Sequence, residues 1–197
     1  MKLSAVVVTR NDNYGGDLND RATYCLNSLI NTFDEVILVD WNSPNNRPLL
    51  WDIDKNIELK GNLKHIVITP EIASMLTNND PDAQVCCETL GRNIGIRRAT
   101  GDYIVSTNID VIAPRREDLE KTITNDLNKK TFYTISRRHI EWKDIEEFHG
   151  GKRKYDDWEA LRNHLIENSE ERKYEETIVE GDNYSIINCC GDFQLAH

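Results

Sequence analysis

Apolar residues in this chain gather into short unbroken runs, each ending abruptly in a polar cluster. Leu3-Ser4-Ala5-Val6-Val7-Val8 stops at Thr9-Arg10-Asn11-Asp12, and Val36-Ile37-Leu38-Val39 stops at Asp40-Trp41-Asn42-Ser43-Pro44. A third run, Tyr103-Ile104-Val105-Ser106-Thr107, opens with Gly101-Asp102 turn chemistry and delivers Asn108-Ile109-Asp110. Runs of this kind suit parallel strands covered on both faces, whereas a half-exposed antiparallel sheet alternates. Between the first two runs, Ala22, Cys25, Leu26, Leu29 and Ile30 share one face of a helix over 21–33. Strand, helix, strand with polar strand ends is a βαβ unit. The expected fold class is therefore α/β, a mostly parallel sheet flanked by helices.

Further along, Leu63 to Thr69 reads as another strand, and Pro70 opens a helical turn. Residues 83–100 have a helical pattern carried by Val85, Leu90, Ile94 and Ala99, and Gly101 supplies the stop. Arg115 to Leu127 is expected as a polar-faced helix and Phe132 to Ile135 as a strand. The charged stretch 137–154, interrupted at Gly150-Gly151, reads as a mobile loop. Tyr155 to Ile166 is expected to be helical, Tyr184 to Asn188 a short strand, and Gly191 to His197 the first turn of a final helix. The segment Asn11 to Asp20 is a polar loop whose Gly15-Gly16 either folds over a phosphate or makes a plain surface turn.

The 197 residues fit a single domain with a substantial core. The net charge of −10 excludes a general nucleic-acid binder, which needs a basic stripe. It leaves room for a local basic site, since Lys and Arg concentrate near 92–98 and 129–138. Met1-Lys2-Leu3 enters a strand directly with no visible signal peptide, and no apolar stretch reaches the ~18 residues of a membrane span. The five cysteines, with Cys86-Cys87 and Cys189-Cys190 adjacent, lack CxxC spacing and read as free thiols in a reducing, cytoplasmic setting.

The strand ends carry the candidate chemistry. In open α/β sheets, ligands bind outside the carboxyl ends of the strands. Asn108 and Asp110 stand two residues apart, on one side of an extended chain. Two oxygen donors so placed suit a hard divalent cation carrying phosphates. The plainer alternative makes them caps of the next loop, because Asn and Asp are ordinary turn residues.

With Val7-Val8-Thr9-Arg10-Asn11, Glu35-Val36-Ile37-Leu38-Val39-Asp40 and Gly91-Arg92-Asn93-Ile94-Gly95-Ile96-Arg97-Arg98-Ala99-Thr100-Gly101-Asp102-Tyr103-Ile104, the chain resembles the GT-A glycosyltransferases, of the family 2 type. The likeness covers roughly Leu3 to Pro114 and touches the end again at Gly191-Asp192-Phe193-Gln194-Leu195. It implies a GT-A, Rossmann-like domain over 1–197, with a nucleotide-binding half at 1–114 and a partial acceptor-side half at 115–197. Thr9, Arg10 and Asn11 would line the nucleoside pocket, and Asp40 would accept from a uracil N–H, a cap being its alternative role. Arg92 and Asn93 would face the nucleotide, while Arg97, one turn further, either reaches phosphate or is solvated, the solvated reading being preferred. The family's metal triplet is usually Asp-x-Asp; here it is Asn108-Ile109-Asp110, a departure that leaves Asp110 to carry Mn2+ or Mg2+ and Asn108 either to contact ribose or to stand behind the metal's direct ligands. Asp192 falls where inverting members place the catalytic base, at a helix start; an Asp favoured by the helix dipole is its alternative reading.

The resemblance thus implies inverting transfer from a nucleoside diphosphate sugar, UDP first, to a glycan, protein or lipid acceptor. His139, His149 and His197 receive no role. A pyrophosphorylase would need a Gly-rich basic loop after its first strand, and a dinucleotide oxidoreductase a GxGxxG; neither is present. The serious rival is a non-catalytic or truncated nucleotide-sugar-binding module, suggested by how soon the chain stops after Gly191-Asp192.

Overall fold

A computed structural model describes residues 1–53, 61–126, 133–134, 138–139, 143, 158–171, 177–181, 184–188 and 193–196. Four parallel strands form its centre: β1 (Leu3–Thr9), β2 (Glu35–Trp41), β3 (Leu63–Ile68) and β4 (Tyr103–Asn108). They alternate with helices α1 (Leu18–Thr32), α2 (Leu49–Ile53), α3 (Pro70–Leu76) and α4 (Glu88–Ile96). Two antiparallel strands, β5 (Tyr133–Thr134) and β10 (Phe193–Ala196), extend the sheet to the order β3-β2-β1-β4-β10-β5. The fold is α/β with a mostly parallel, helix-flanked sheet.

Every residue of β1 and β2 is buried, which is why neither strand alternates in sequence. The two sheet faces feed separate cores. Leu3, Ala5, Val7, Val36, Leu38, Tyr103 and Val105 meet α1 and α5 (Arg116–Asp126) on one side. Val6, Val8, Ile37, Val39 and Trp41 meet α3 and α4 on the other, where Leu90 and Ile94 pack. The sheet is therefore wound on both faces, as unbroken apolar strands require. Helix α6 (Trp158–Asn168) buries Leu161 and Leu165, and its Arg162 donates to Thr32 Oγ1 at 3.0 Å, tying it to the end of α1. Two short ribbons complete the described structure: β6 (Arg138–His139) with β7 (Glu170–Glu171), and β8 (Thr177–Gly181) with β9 (Tyr184–Asn188).

The structure departs from expectation at two elements. Helix α4 begins at Glu88 instead of near Ala83, because the Asp80 carboxylate accepts from Asp82 N at 2.9 Å and the Asp80 carbonyl from Ala83 N at 3.2 Å. This turn chemistry competes with the helix, and Val85 is left half exposed. At the far end, Phe193–Ala196 is a strand and not the first turn of a helix. It lies antiparallel to β4, with Phe193 beside Thr107 and Leu195 beside Val105. Leu195 is buried in the α1-side core, and completing the otherwise open β4 edge outweighs any local helical preference.

One buried carboxylate fastens the other end of the sheet. Glu35 accepts from Ser4 Oγ at 2.5 Å, from Thr100 N at 2.8 Å and from the Lys64 ammonium. Burial alone would raise its pKa, but these donors outweigh burial and bring it to about 2. A carboxyl depressed in the folded state stabilises above its unfolded pKa, about 4.3, and loses that contribution as pH falls through about 2. Discounted for the solvent-exposed Lys64, the contribution is about 2 kcal/mol. Glu35→Gln should show that deficit in urea unfolding at pH 7, with the gap to wild type closing as pH falls from about 5 towards 2.

Candidate functional site

The strand order reverses direction at β1: the chain runs outward through β2 and β3, then returns to place β4 on the other side. Ligands of open α/β sheets sit at such a switch point, in the crevice at the carboxyl ends. Thr9 pairs with Asp40 across the β1–β2 ladder, and Val8 pairs with Asn108 across the β1–β4 ladder. The three polar strand ends named from the sequence are therefore adjacent. Thr9 itself is buried in the crevice floor.

The loops after β1 and β2 are knitted into one unit. Arg10 Nε donates to the Asn42 carbonyl at 2.7 Å and its Nη1 to Asp12 at 2.8 Å. Asn11 donates through its backbone N to Ser43 Oγ at 2.9 Å and through Nδ2 to Asp52 at 2.6 Å. Asn42 takes the left-handed conformation, φ 54°, and donates to the Val85 carbonyl at 2.9 Å. Arg10 and Asn11 thus act first as braces that fix the rim.

Asp40 lies beneath this rim. Its carboxylate has 0% exposure, with Oδ1 accepting from Ser43 Oγ and Oδ2 from Leu49 N at the start of α2. His65 Nε2 lies 3.6 Å from the same Oδ2. A carboxylate so enclosed caps α2 and holds the 43–49 loop, the cap role that the sequence leaves open to it. Loss of a buried acceptor strands its donors, each at about 1–3 kcal/mol. Asp40→Ala should therefore lower stability by about 3 kcal/mol in chemical denaturation, with Asp40→Asn recovering part of the loss.

Helix α4 carries Arg92 to the β4 end. Its Nη1 donates to Ser106 Oγ at 2.9 Å, and Nη2 to Asn108 Oδ1 at 2.6 Å and to Glu88 at 3.2 Å. Asn93 is exposed, nearly opposite the Gly91 and Gly95 face that meets the sheet, at helical spacing of ~100° per residue. Arg97 is exposed, as expected.

Asp110 is half exposed, and its Oδ2 pairs with Arg21 Nη1 at 3.2 Å. Arg21, on the first turn of α1, also donates to the Gly16 carbonyl at 3.0 Å and to the Tyr14 carbonyl. The loop's shape explains this grip. Gly15 and Gly16 have φ of 72° and 76°, where a side chain is strained, and their turn aims carbonyls inward at the guanidinium. Sequence reading missed Arg21, because nothing in helical periodicity reveals where a polar side chain at a helix start will reach. Beneath the β4 end, Cys25 is buried with Sγ 3.4 Å from the Asn108 carbonyl; burial pushes its thiol pKa up, which suits packing and not nucleophilic chemistry.

These donors do not compose a divalent-cation site by themselves. Among the described residues, no three His, Cys, Asp or Glu side chains cluster to hold a metal. Of the triplet's two oxygen donors, Asn108 Oδ1 already accepts from one guanidinium and Asp110 Oδ2 from another. Asp192, expected as the base, lies outside the described residues, as do His149, His197 and most of the 137–154 stretch. The chain does enter β10 at the carboxyl end of β4, the site end of the sheet.

No protein-family model matches the chain, and no curated protein matches it. Among solved structures it is similar to S. aureus TarS 1-349, with 22% identity and a TM-score of 0.40 over 76% of this chain and 33% of that one. The TarS 1-349 complex with UDP gives 21% identity and the same TM-score and coverage. Mannosyltransferase PcManGT from Pyrobaculum calidifontis, in complex with GDP-Man and Mn2+, gives 18% identity and a TM-score of 0.37 over 62% of this chain and 31% of that one. The chain spans about a third of the length of these structures. Among its described residues, no helix is long and apolar enough to cross a membrane.

Proposed function

We propose that the protein binds a nucleoside diphosphate sugar across the β1 and β4 strand ends and transfers the sugar to an acceptor hydroxyl with inversion. One observation carries this reading: the switch-point crevice collects Arg10, Asn11, Arg21, Arg92, Asn108 and Asp110 from two adjacent parallel strand ends and two helices. Guanidinium groups suit phosphate oxygens through paired N–H donors, and the Asn108 amide suits a ribose hydroxyl. The resemblance to GT-A glycosyltransferases in Arg92-Asn93 through Asp110 agrees with that chemistry.

In the transfer, the acceptor oxygen bonds to the anomeric carbon while the sugar–diphosphate bond breaks and its electron pair leaves with the diphosphate. The acceptor proton passes to a carboxylate, for which Asp192 is proposed. Thr9 supports the crevice floor and Asp40 its rim. The domain assignment stands as part of this proposal, with 1–114 serving the nucleotide and 115–197 the acceptor side.

A calorimetric panel of UDP-, GDP- and TDP-sugars tests the reading. One nucleotide sugar should bind with a saturable isotherm, and release of its free sugar or transfer product should follow. Binding without any turnover, slow hydrolysis included, would favour the non-catalytic module. Absence of binding across the panel would remove the nucleotide reading.

A further inference from the structure

The two guanidinium groups at the β4 end come from opposite faces of the sheet. Arg21 stands on α1, which packs with Val7 and Val105; Arg92 stands on α4, which packs with Val6 and Val8. They converge on one triplet, Arg92 at Asn108 and Arg21 at Asp110. Both remain partly accessible, with side chains 17% and 21% exposed.

Consider what each group does to the charge that a diphosphate would meet. Asp110 alone would repel it, and in an Asp-x-Asp site a divalent cation removes that repulsion. Here Arg21 supplies a fixed positive charge on the same carboxylate oxygen, and Asn108 lacks the second negative charge altogether. Arg21 donates three hydrogen bonds, to Asp110, Gly16 and Tyr14. A guanidinium has five N–H donors, so among the described residues two are left for an incoming phosphate oxygen. Its tether to the loop carbonyls also holds it in place, which a flexible surface arginine would lack.

We infer that Arg21, together with Arg92, takes the place of a divalent cation, so that the nucleoside diphosphate binds this site without metal. The inference rests on the proposed nucleotide reading. Arg21 is a ligand-binding residue that also screens Asp110; the Tyr14 and Gly16 carbonyls orient it.

UDP titration by calorimetry, in chelator and then in excess manganese, with inorganic pyrophosphate as a base-free competitor, tests the inference. Wild type should bind UDP with affinities that agree within about twofold, since no interaction is asked of the metal. Arg21→Gln should lose at least about tenfold in chelator, the lower range for a charge-assisted hydrogen bond. Because that variant also releases the Tyr14 and Gly16 carbonyls of the loop, Asp110→Asn supplies the second arm. It keeps Arg21, removes the repelling carboxylate, and should bind UDP in chelator more tightly than wild type. A rise of tenfold or more on adding manganese to wild type, abolished in Asp110→Asn, would overturn the inference and leave nucleotide binding intact. Failure of wild type to bind UDP or pyrophosphate under either condition would overturn both readings together.

Discussion

Gly95→Val should cost the protein about 4 kcal/mol, at the upper end of what single substitutions do. Gly91 and Gly95 lie one turn apart on α4 and form the seam where the helix meets the sheet. A Cβ placed on Gly95 would stand 2.3 Å from Val6 Cγ1 and 3.3 Å from Val39 Cγ2; one on Gly91 would stand 2.6 Å from Val8 Cγ1. These neighbours belong to fully buried central strands, so they have nowhere to move. Helix propensity argues the other way, since replacing a mid-helix glycine by alanine ordinarily gains about 1 kcal/mol. Overpacking a tight core costs about 1–3 kcal/mol for small additions and more for larger ones, so the clash wins. Even Gly95→Ala should therefore destabilise, by about 1–2 kcal/mol net of propensity. Urea denaturation reads both variants, with Asn93→Ala on the exposed face of the same helix as a control that should be neutral or slightly stabilising. If Gly95→Ala raised the midpoint, α4 would not lie this close to β1. The seam also matters to the site, because lifting α4 would draw Arg92 away from Ser106 and Asn108.

Those glycines show what the amino-acid pattern revealed and what it hid. Strands β1, β2 and β4 are legible because burial on both faces replaces alternation with nearly continuous apolar runs, and α1 because its apolar stripe has one period. The convergence of Thr9, Asp40 and Asn108 follows from parallel pairing. The Gly91–Gly95 spacing was visible within a motif, yet its meaning is a helix–sheet distance, which no one-dimensional pattern encodes. Asp40 keeps two readings in the sequence for a related reason. A carboxylate at a strand end caps a following helix or faces a ligand according to how the next loop folds, and here Ser43 and Leu49 N close over it. Arg21 escaped notice because its partners, Tyr14, Gly16 and Asp110, lie 5 to 89 residues away. Strand β10 was read as helical because four residues carry too little periodicity; its identity is set by the open β4 edge.

Asp192→Asn should lower the rate of sugar transfer by about 10²–10⁴, the ordinary range for losing a general base, while donor affinity stays close to that of wild type. The geometry that motivates this has changed from the sequence expectation. The base was placed at a helix start; the chain instead runs into β10, whose first residue, Phe193, pairs with Thr107 at the carboxyl end of β4. Antiparallel pairing therefore brings the chain into the sheet from the same end as Asn108 and Asp110. Asp110 is already engaged at the site, its Oδ2 paired with Arg21 Nη1 at 3.2 Å. Asparagine preserves the volume of Asp192 and most of its hydrogen bonding but cannot take the acceptor proton. Three readouts separate the possibilities: donor binding by calorimetry, transfer rate, and slow hydrolysis of the donor by water. Loss of transfer with donor binding retained fits the base, and Asp192→Glu should restore part of the rate. Loss of donor binding in Asp192→Asn would instead assign the residue to the nucleotide pocket. Transfer and hydrolysis that both persist at wild-type rates would place the base elsewhere on the chain.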